Sequence, residues 1–190
     1  MKLGKLPISI AAGSASLVAS VALSLSFAAP AGASSCSHAQ ASPKTVSSRD
    51  AQRAVTCLLN KERTDRGLPR LHSNNDLRRS ARRHSDYMSR HNCFDHECSG
   101  EASIDGRLRK SGYLNSHLTR WLYGENIAYG TRRWASPKAM VKAWMQSSEH
   151  RANILNPQFR DLGVGVVWGT FSNPHGSGGI YTTDFGLRRG

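Results

Sequence analysis

Tyr123-Gly124-Glu125-Asn126-Ile127-Ala128-Tyr129-Gly130 sets one acid, Glu125, between a glycine and an apolar run. Glycine lets the backbone turn or another group approach closely. Ile127, Ala128 and Tyr129 have the character of residues entering a core. A glutamate held beside a core must pair, bind a metal or stay protonated, because an isolated charge in apolar surroundings is costly. The stretch predicts a short strand over 121–129 that carries a constrained acid; the alternative is a solvated turn glutamate.

Working outward, helices precede the stretch and strands follow it. A helix starts near Ser47 or Ser48, with Ala51, Ala54, Val55, Leu58 and Leu59 on one face and Gly67 beyond its end. A second starts after Asn74 or Asn75, either a good N-cap, with Leu77, Ala81, His84 and Met88 on its apolar face. On that face His84 is expected to be a hydrogen-bonded core histidine. Ile104 to Ser111 reads as a short helix stopped by Gly112, and Ser136-Pro137 opens another. A helical turn is expected over 149–155. Leu162–Trp168 and Ile180–Phe185 read as an antiparallel pair joined by a Gly/Ser/Pro/Asn loop. Helices followed by a small sheet indicate an α+β domain.

The N-terminus reads differently. Lys2 and Lys5, a long uncharged Ala/Ser/Leu run and Ala31-Gly32-Ala33 form the pattern of a secretory signal peptide over 1–33. A polar arm, 34–48, and a single domain, 49–190, are expected after it, with no transmembrane segment once the signal is cleaved. The chain carries a net charge of +13, and loss of the two lysines with the signal leaves +11. Such a field favours anionic partners: wall polymers, acidic lipids or nucleic acid. Cys36, Cys57, Cys93 and Cys98 allow three disulfide connectivities. The short span around His96 favours Cys93–Cys98, which leaves Cys36–Cys57. A Cys-His metal cluster is the weaker reading, since Cys-x4-Cys has no second matching pair.

Several chemistries have no signature here. There is no His-Glu-x-x-His, no Gly-x-Ser-x-Gly, no phosphate-binding loop and no aromatic-interleaved basic motif for nucleic acid.

Five blocks in order carry a resemblance: Phe94-Asp95-His96, the Glu125 stretch, Ala143 to Leu155, Phe159 to Val166, and Tyr181 to Gly186. Over Arg49 to Gly190 the chain resembles the bacterial branch of the CAP superfamily, which contains cysteine-rich secretory (SCP-like) proteins, venom antigen 5 and plant pathogenesis-related proteins. The resemblance implies an α-β-α sandwich with a small central antiparallel sheet. It also implies a cleft faced by two histidines and two glutamates. By motif these fall on His96, Glu125 and His150; the second glutamate position holds Ser147, so the set is incomplete. Glu149 lies close in sequence, and Tyr123, Trp121 and Tyr181 are candidate cleft aromatics.

Two neutral imidazoles suit Zn²⁺, with Glu125 as an acid that accepts a proton or orients a histidine. Two protein ligands are fewer than catalytic zinc normally has, so weak binding is expected. The resulting expectation is a secreted, monomeric, non-catalytic binding module for a lipid, peptide, cell-wall or host ligand. A metal-assisted hydrolase or peptidase, with Glu125 catalytic, is the first alternative. A basic module held on anionic wall polymers is the second.

Overall fold

The computed structural model describes residues 36–43, 45–171, 173 and 176–190, so the signal-peptide reading lies outside the described residues. The helices are α1 (Ser48–Thr64), α2 (Asn75–His91), α3 (Ile104–Ser111), α4 (Pro137–Gln146) and α5 (Ser148–Leu155). The strands are β1 (His72–Ser73), β2 (Arg120–Thr131), β3 (Asp161–Trp168) and β4 (Gly178–Arg189). Local chemistry sets the helix starts. Ser47 Oγ accepts from the Asp50 amide, Asn74 Oδ1 from the amides of Asp76 and Leu77, and Ser136 Oγ from that of Ala139. Gly112 ends α3 with φ 86°, a left-handed conformation that suits glycine.

The strand order is β1-β3-β4-β2. β2 and β3 each pair antiparallel with β4, while β1 pairs parallel with Asp161 and Leu162 of β3. β1 had no sequence signal: two exposed polar residues form it, held by the His72 amide to Arg160 O and the Asn74 amide to Leu162 O. The antiparallel strands are also longer than the sequence suggests, each of β2 and β4 running 12 residues.

β3 explains the layering. Leu162, Val164 and Val166 face one side and join the main core with Ala51, Val55, Leu59, Trp144, Tyr181 and Phe185. α1, α4 and α5 cover that side. Gly163 and Gly165 face the other side, where a β-carbon would stand 2.1 Å from the Leu77 carbonyl carbon and 2.3 Å from that of Ala81. Only glycine lets the α2 backbone come so close. α2, with α3 packed against it, therefore forms the opposite layer, and the sandwich is α-β-α.

Arg63 on α1 is fully buried, with no acid paired to it. Its guanidinium donates instead to the carbonyls of Pro69 (2.9 Å), Ile154 (2.7 Å) and Asn156 (2.9 Å). That clasps α1 to the end of α5, an arrangement that desolvates a charge but satisfies its donors. The disulfides are Cys36–Cys57 and Cys93–Cys98. The first ties the N-terminal arm to α1, and Ala39 O and Val46 O of that arm accept from the Lys138 amide and Trp168 Nε1.

Candidate functional site

β2 is an edge strand, and alternation sends its side chains to different layers. Glu125 points toward α2 and α3, whereas Gly124 and Asn126 point toward α4 and α5. Gly124 is required for close approach, since a β-carbon there would lie 2.8 Å from Asn153 Oδ1. Asn153 donates to Glu125 O (3.2 Å) and Asn126 Oδ1 (2.9 Å), and Trp144 Nε1 donates to Ile127 O (2.9 Å). Side chains of α4 and α5 thus satisfy carbonyls that the strand's open edge would leave bare.

The Glu125 carboxylate is only 1% exposed, and both oxygens are engaged. Oε1 accepts from His96 Nδ1 at 2.8 Å, and Oε2 accepts from Arg107 Nη2 at 2.5 Å. Burial alone would push this carboxyl up; the His96 hydrogen bond and the nearby His84 and Arg107 outweigh it and hold it below the ordinary glutamate value. The same hydrogen bond raises His96 above the ordinary histidine value. Arg107 further donates to the His96 carbonyl at 2.8 Å, which anchors the loop between Cys93 and Cys98.

Behind this pair lie further buried groups. His84 Nδ1 is hydrogen-bonded to Glu101 Oε2 at 2.7 Å, and its Nε2 stands 3.7 Å from Glu125 Oε1 with no hydrogen bond. His84 is therefore a core histidine, as its helical spacing suggested. Asp184 lies opposite Glu125 across the β2–β4 ladder, fully buried, with neither oxygen hydrogen-bonded. Burial first, and then the Glu125 carboxylate, push Asp184 well above the usual carboxylate range.

His150 comes from α5, on the other layer. Its Nδ1 is hydrogen-bonded to Ser147 Oγ at 2.8 Å, and its carbonyl accepts from Asn126. Burial, and then the proximity of His96, lower it below the ordinary histidine value. His96 and His150 each have Nδ1 committed to an orienting partner, and among the described residues neither makes a hydrogen bond through Nε2. Glu149 is exposed and makes no hydrogen bond or ion pair among the described residues, and its charge partly offsets the lowering at His150. Tyr123 packs against the cluster of Leu77, Leu108 and Tyr113 instead. Trp121 is exposed beneath Arg109, and Tyr181 is a buried core residue whose hydroxyl donates to Ala135 O.

Glu101, Arg107 and Asp184 were not singled out from the sequence. Two signals existed. Arg107 lies three residues after Ile104 on the same helical face, and Asp184 interrupts an apolar strand. Among the described residues, no group of three or more His, Cys, Asp or Glu converges as a metal cage would.

The model of the cysteine-rich secretory protein family, CAP, matches residues 57–177. The uncharacterized protein YkwD of Bacillus subtilis is 38% identical over 157 residues, which cover 83% of this chain and 54% of that protein. The uncharacterized membrane protein YlbC of the same organism is 31% identical, over 60% of this chain and 31% of its own length. The chain therefore spans about half, or less, of these two relatives. Among solved structures, an extracellular protein containing an SCP domain from Bacillus anthracis superposes with TM-score 0.57 at 26% identity, covering 76% of this chain and 44% of that one. An outer surface protein of Borrelia burgdorferi superposes with TM-score 0.62 at 18% identity, covering 76% and 97%, and so shares the fold.

Proposed function

This chain belongs to the cysteine-rich secretory protein (CAP) family, and on that footing we propose that it acts outside the cell as a non-catalytic binding module for a small lipid, peptide or wall ligand. One observation carries the reading. Both oxygens of Glu125 are committed, one to His96 and one to Arg107, in a nearly dry site. A general base must reach the proton it takes, and this carboxylate is almost sealed from solvent with each oxygen already engaged by a side chain of the protein. It orients His96 and holds its loop. Two disulfides suit an oxidising compartment. No described helix is long and apolar enough to cross a membrane.

The donor set fits weak divalent-metal binding. His96 and His150 present Nε2, and Glu125 and Ser147 orient them from behind. An ion held there would supply Lewis acidity, and a proton would compete with it for His96, whose affinity for protons is raised. Calorimetry with Zn²⁺ on chelator-stripped protein is expected to give micromolar or weaker affinity, on the order of that expected for an open site. His96→Ala and His150→Ala should each remove most of it. Peptide and ester turnover measured in parallel should be absent with and without Zn²⁺. Zn²⁺-dependent turnover that disappears in Glu125→Gln would replace this reading with the hydrolase.

A further inference from the structure

At the opposite edge of the sheet lies a cleft of about 490 Å³ between α1 and α2. It exists because β1 is only two residues long and pairs only with Asp161 and Leu162, so no strand flanks β3 beyond them. Four arginines line it, Arg49 and Arg53 from α1, Arg70 from the loop and Arg78 from α2, and no acid does. Arg53 is tied to Asp50 at 3.0 Å outside the cleft, and Arg78 donates to Asn75 Oδ1 at 3.3 Å. Among the described residues, Arg49 and Arg70 form no ion pair or hydrogen bond.

The cleft also has a built interior. Gln52 is 8% exposed, lines the cleft, and its side-chain amide has no hydrogen-bond partner among the described residues. The amide atoms themselves reach the cleft, where they can meet an occupant. Leu162 and Val164 supply an apolar floor. The N-terminus of α2 opens onto the same space through Asn74 and Asn75, with its positive dipole end.

We propose that this cleft binds an organophosphate that carries two or more phosphate groups joined by short flexible carbon spacers. Planar guanidinium forks match phosphate oxygens, and their spread around the cleft asks for more than one phosphate. The carbon spacers lie on Leu162 and Val164, and the Gln52 amide takes a hydroxyl or ester oxygen. A purely inorganic anion would leave the apolar floor unused. The inference does not depend on the histidine cleft, which lies along β2 at the far edge.

The full chain would be titrated calorimetrically, at physiological ionic strength, with a synthetic tetra(glycerol phosphate). Poly-L-glutamate would serve as a carboxylate polymer, and vesicles of phosphatidylglycerol in phosphatidylcholine would present the same phosphate ester on a lipid. The expected result is saturable binding of the tetramer that weakens about tenfold in Arg49→Gln/Arg70→Gln, on the order of one charge-assisted contact. Both arginines are exposed, so the variant should melt like the wild type. Gln52→Met should weaken binding several-fold with no change in charge, on the order of a lost hydrogen bond. Arg82→Gln/Arg83→Gln removes two exposed arginines from elsewhere on α2 and should leave affinity unchanged. Cleft-dependent binding to the vesicles but not the tetramer would support the chemistry and assign the phosphate to a lipid headgroup. Equal loss in both arginine pairs would overturn the proposal in favour of net charge alone. Equal affinity for polyglutamate, or no binding of any phosphate ester, would also overturn it.

Discussion

The two edges of one four-stranded sheet handle charge in opposite ways. Along β2, the charged groups answer one another: Arg107 and His96 engage Glu125, Glu101 engages His84, and Trp144 and Asn153 cap the strand's carbonyls. Along β3, the arginines face a cleft without an acid, and the Gln52 amide opens onto the same space. The first edge uses charge to fix loop, strand and helix to each other. The second keeps charge in reserve. The chain as a whole is basic, and the difference between its edges lies in whether the partners of the charged groups are already supplied.

The sharpest way to break this contrast is to remove one partner at the β2 edge. Arg107→Ala would leave the Glu125 carboxylate buried without its guanidinium. The expected loss is about 3–5 kcal/mol in urea unfolding, whereas Arg70→Gln at the other edge should cost little. A loss below about 1 kcal/mol for Arg107→Ala, the range of an exposed ion pair, would mean that the β2 charges are no more integral than the β3 ones.

Each edge also carries one disulfide, and the two differ in span. Cys36–Cys57 closes a separation of 21 residues beside the arginine cleft, while Cys93–Cys98 closes 5 around His96. In the chain-entropy view the longer loop stabilises more, by about 1 kcal/mol. Thermal melts of Cys36→Ser/Cys57→Ser and Cys93→Ser/Cys98→Ser should show that order. Only the second pair should disturb His96 resonances.

The smallest expected effect is a pH dependence confined to the β2 edge. Glu125 is held below its unfolded value, so its contribution is present above the ordinary glutamate range and is lost as pH falls through the folded pKa. His96 is held above its unfolded value, so its contribution is full below the ordinary histidine range and is lost as pH rises through the folded pKa. The pair should therefore contribute most in mildly acidic solution, between those limits. In chelator-treated protein, His96→Gln should flatten the alkaline side of the stability profile and leave the β3-edge variants' profiles like the wild type. The His96 ring is 43% exposed, which keeps the effect modest.

Much of this was legible in the chain because it rests on local rules. Ser47, Asn74 and Ser136 announce helices through caps, and the α2 face with Leu77, Ala81, His84 and Met88 is buried as its period requires. The CAP resemblance singled out His96 and Glu125, which are hydrogen-bonded to each other, and His150, whose carbonyl accepts from Asn126. What remained hidden depends on tertiary register. Asp184 meets Glu125 only through the β2–β4 ladder, and Arg107 reaches it only because the His96 loop folds over α3. β1 has neither alternation nor length to reveal it. Its brevity, and the open edge that follows, emerge only from pairing with a strand some 90 residues later.

Arg63 carries a consequence for the order of events in folding. Two of its acceptors lie 91 and 93 residues further along the chain. While a polypeptide is emerging from the ribosome or a translocation pore, α1 can wind early, yet its buried guanidinium has only the Pro69 carbonyl to donate to until Ile154 and Asn156 are present. The N-terminal half cannot close its core around an unanswered cation, so the chain must wait for its own later sequence. Contacts of that span slow folding. A nascent fragment that stops short of α5 would expose the face of α1 on which the whole sandwich is later built.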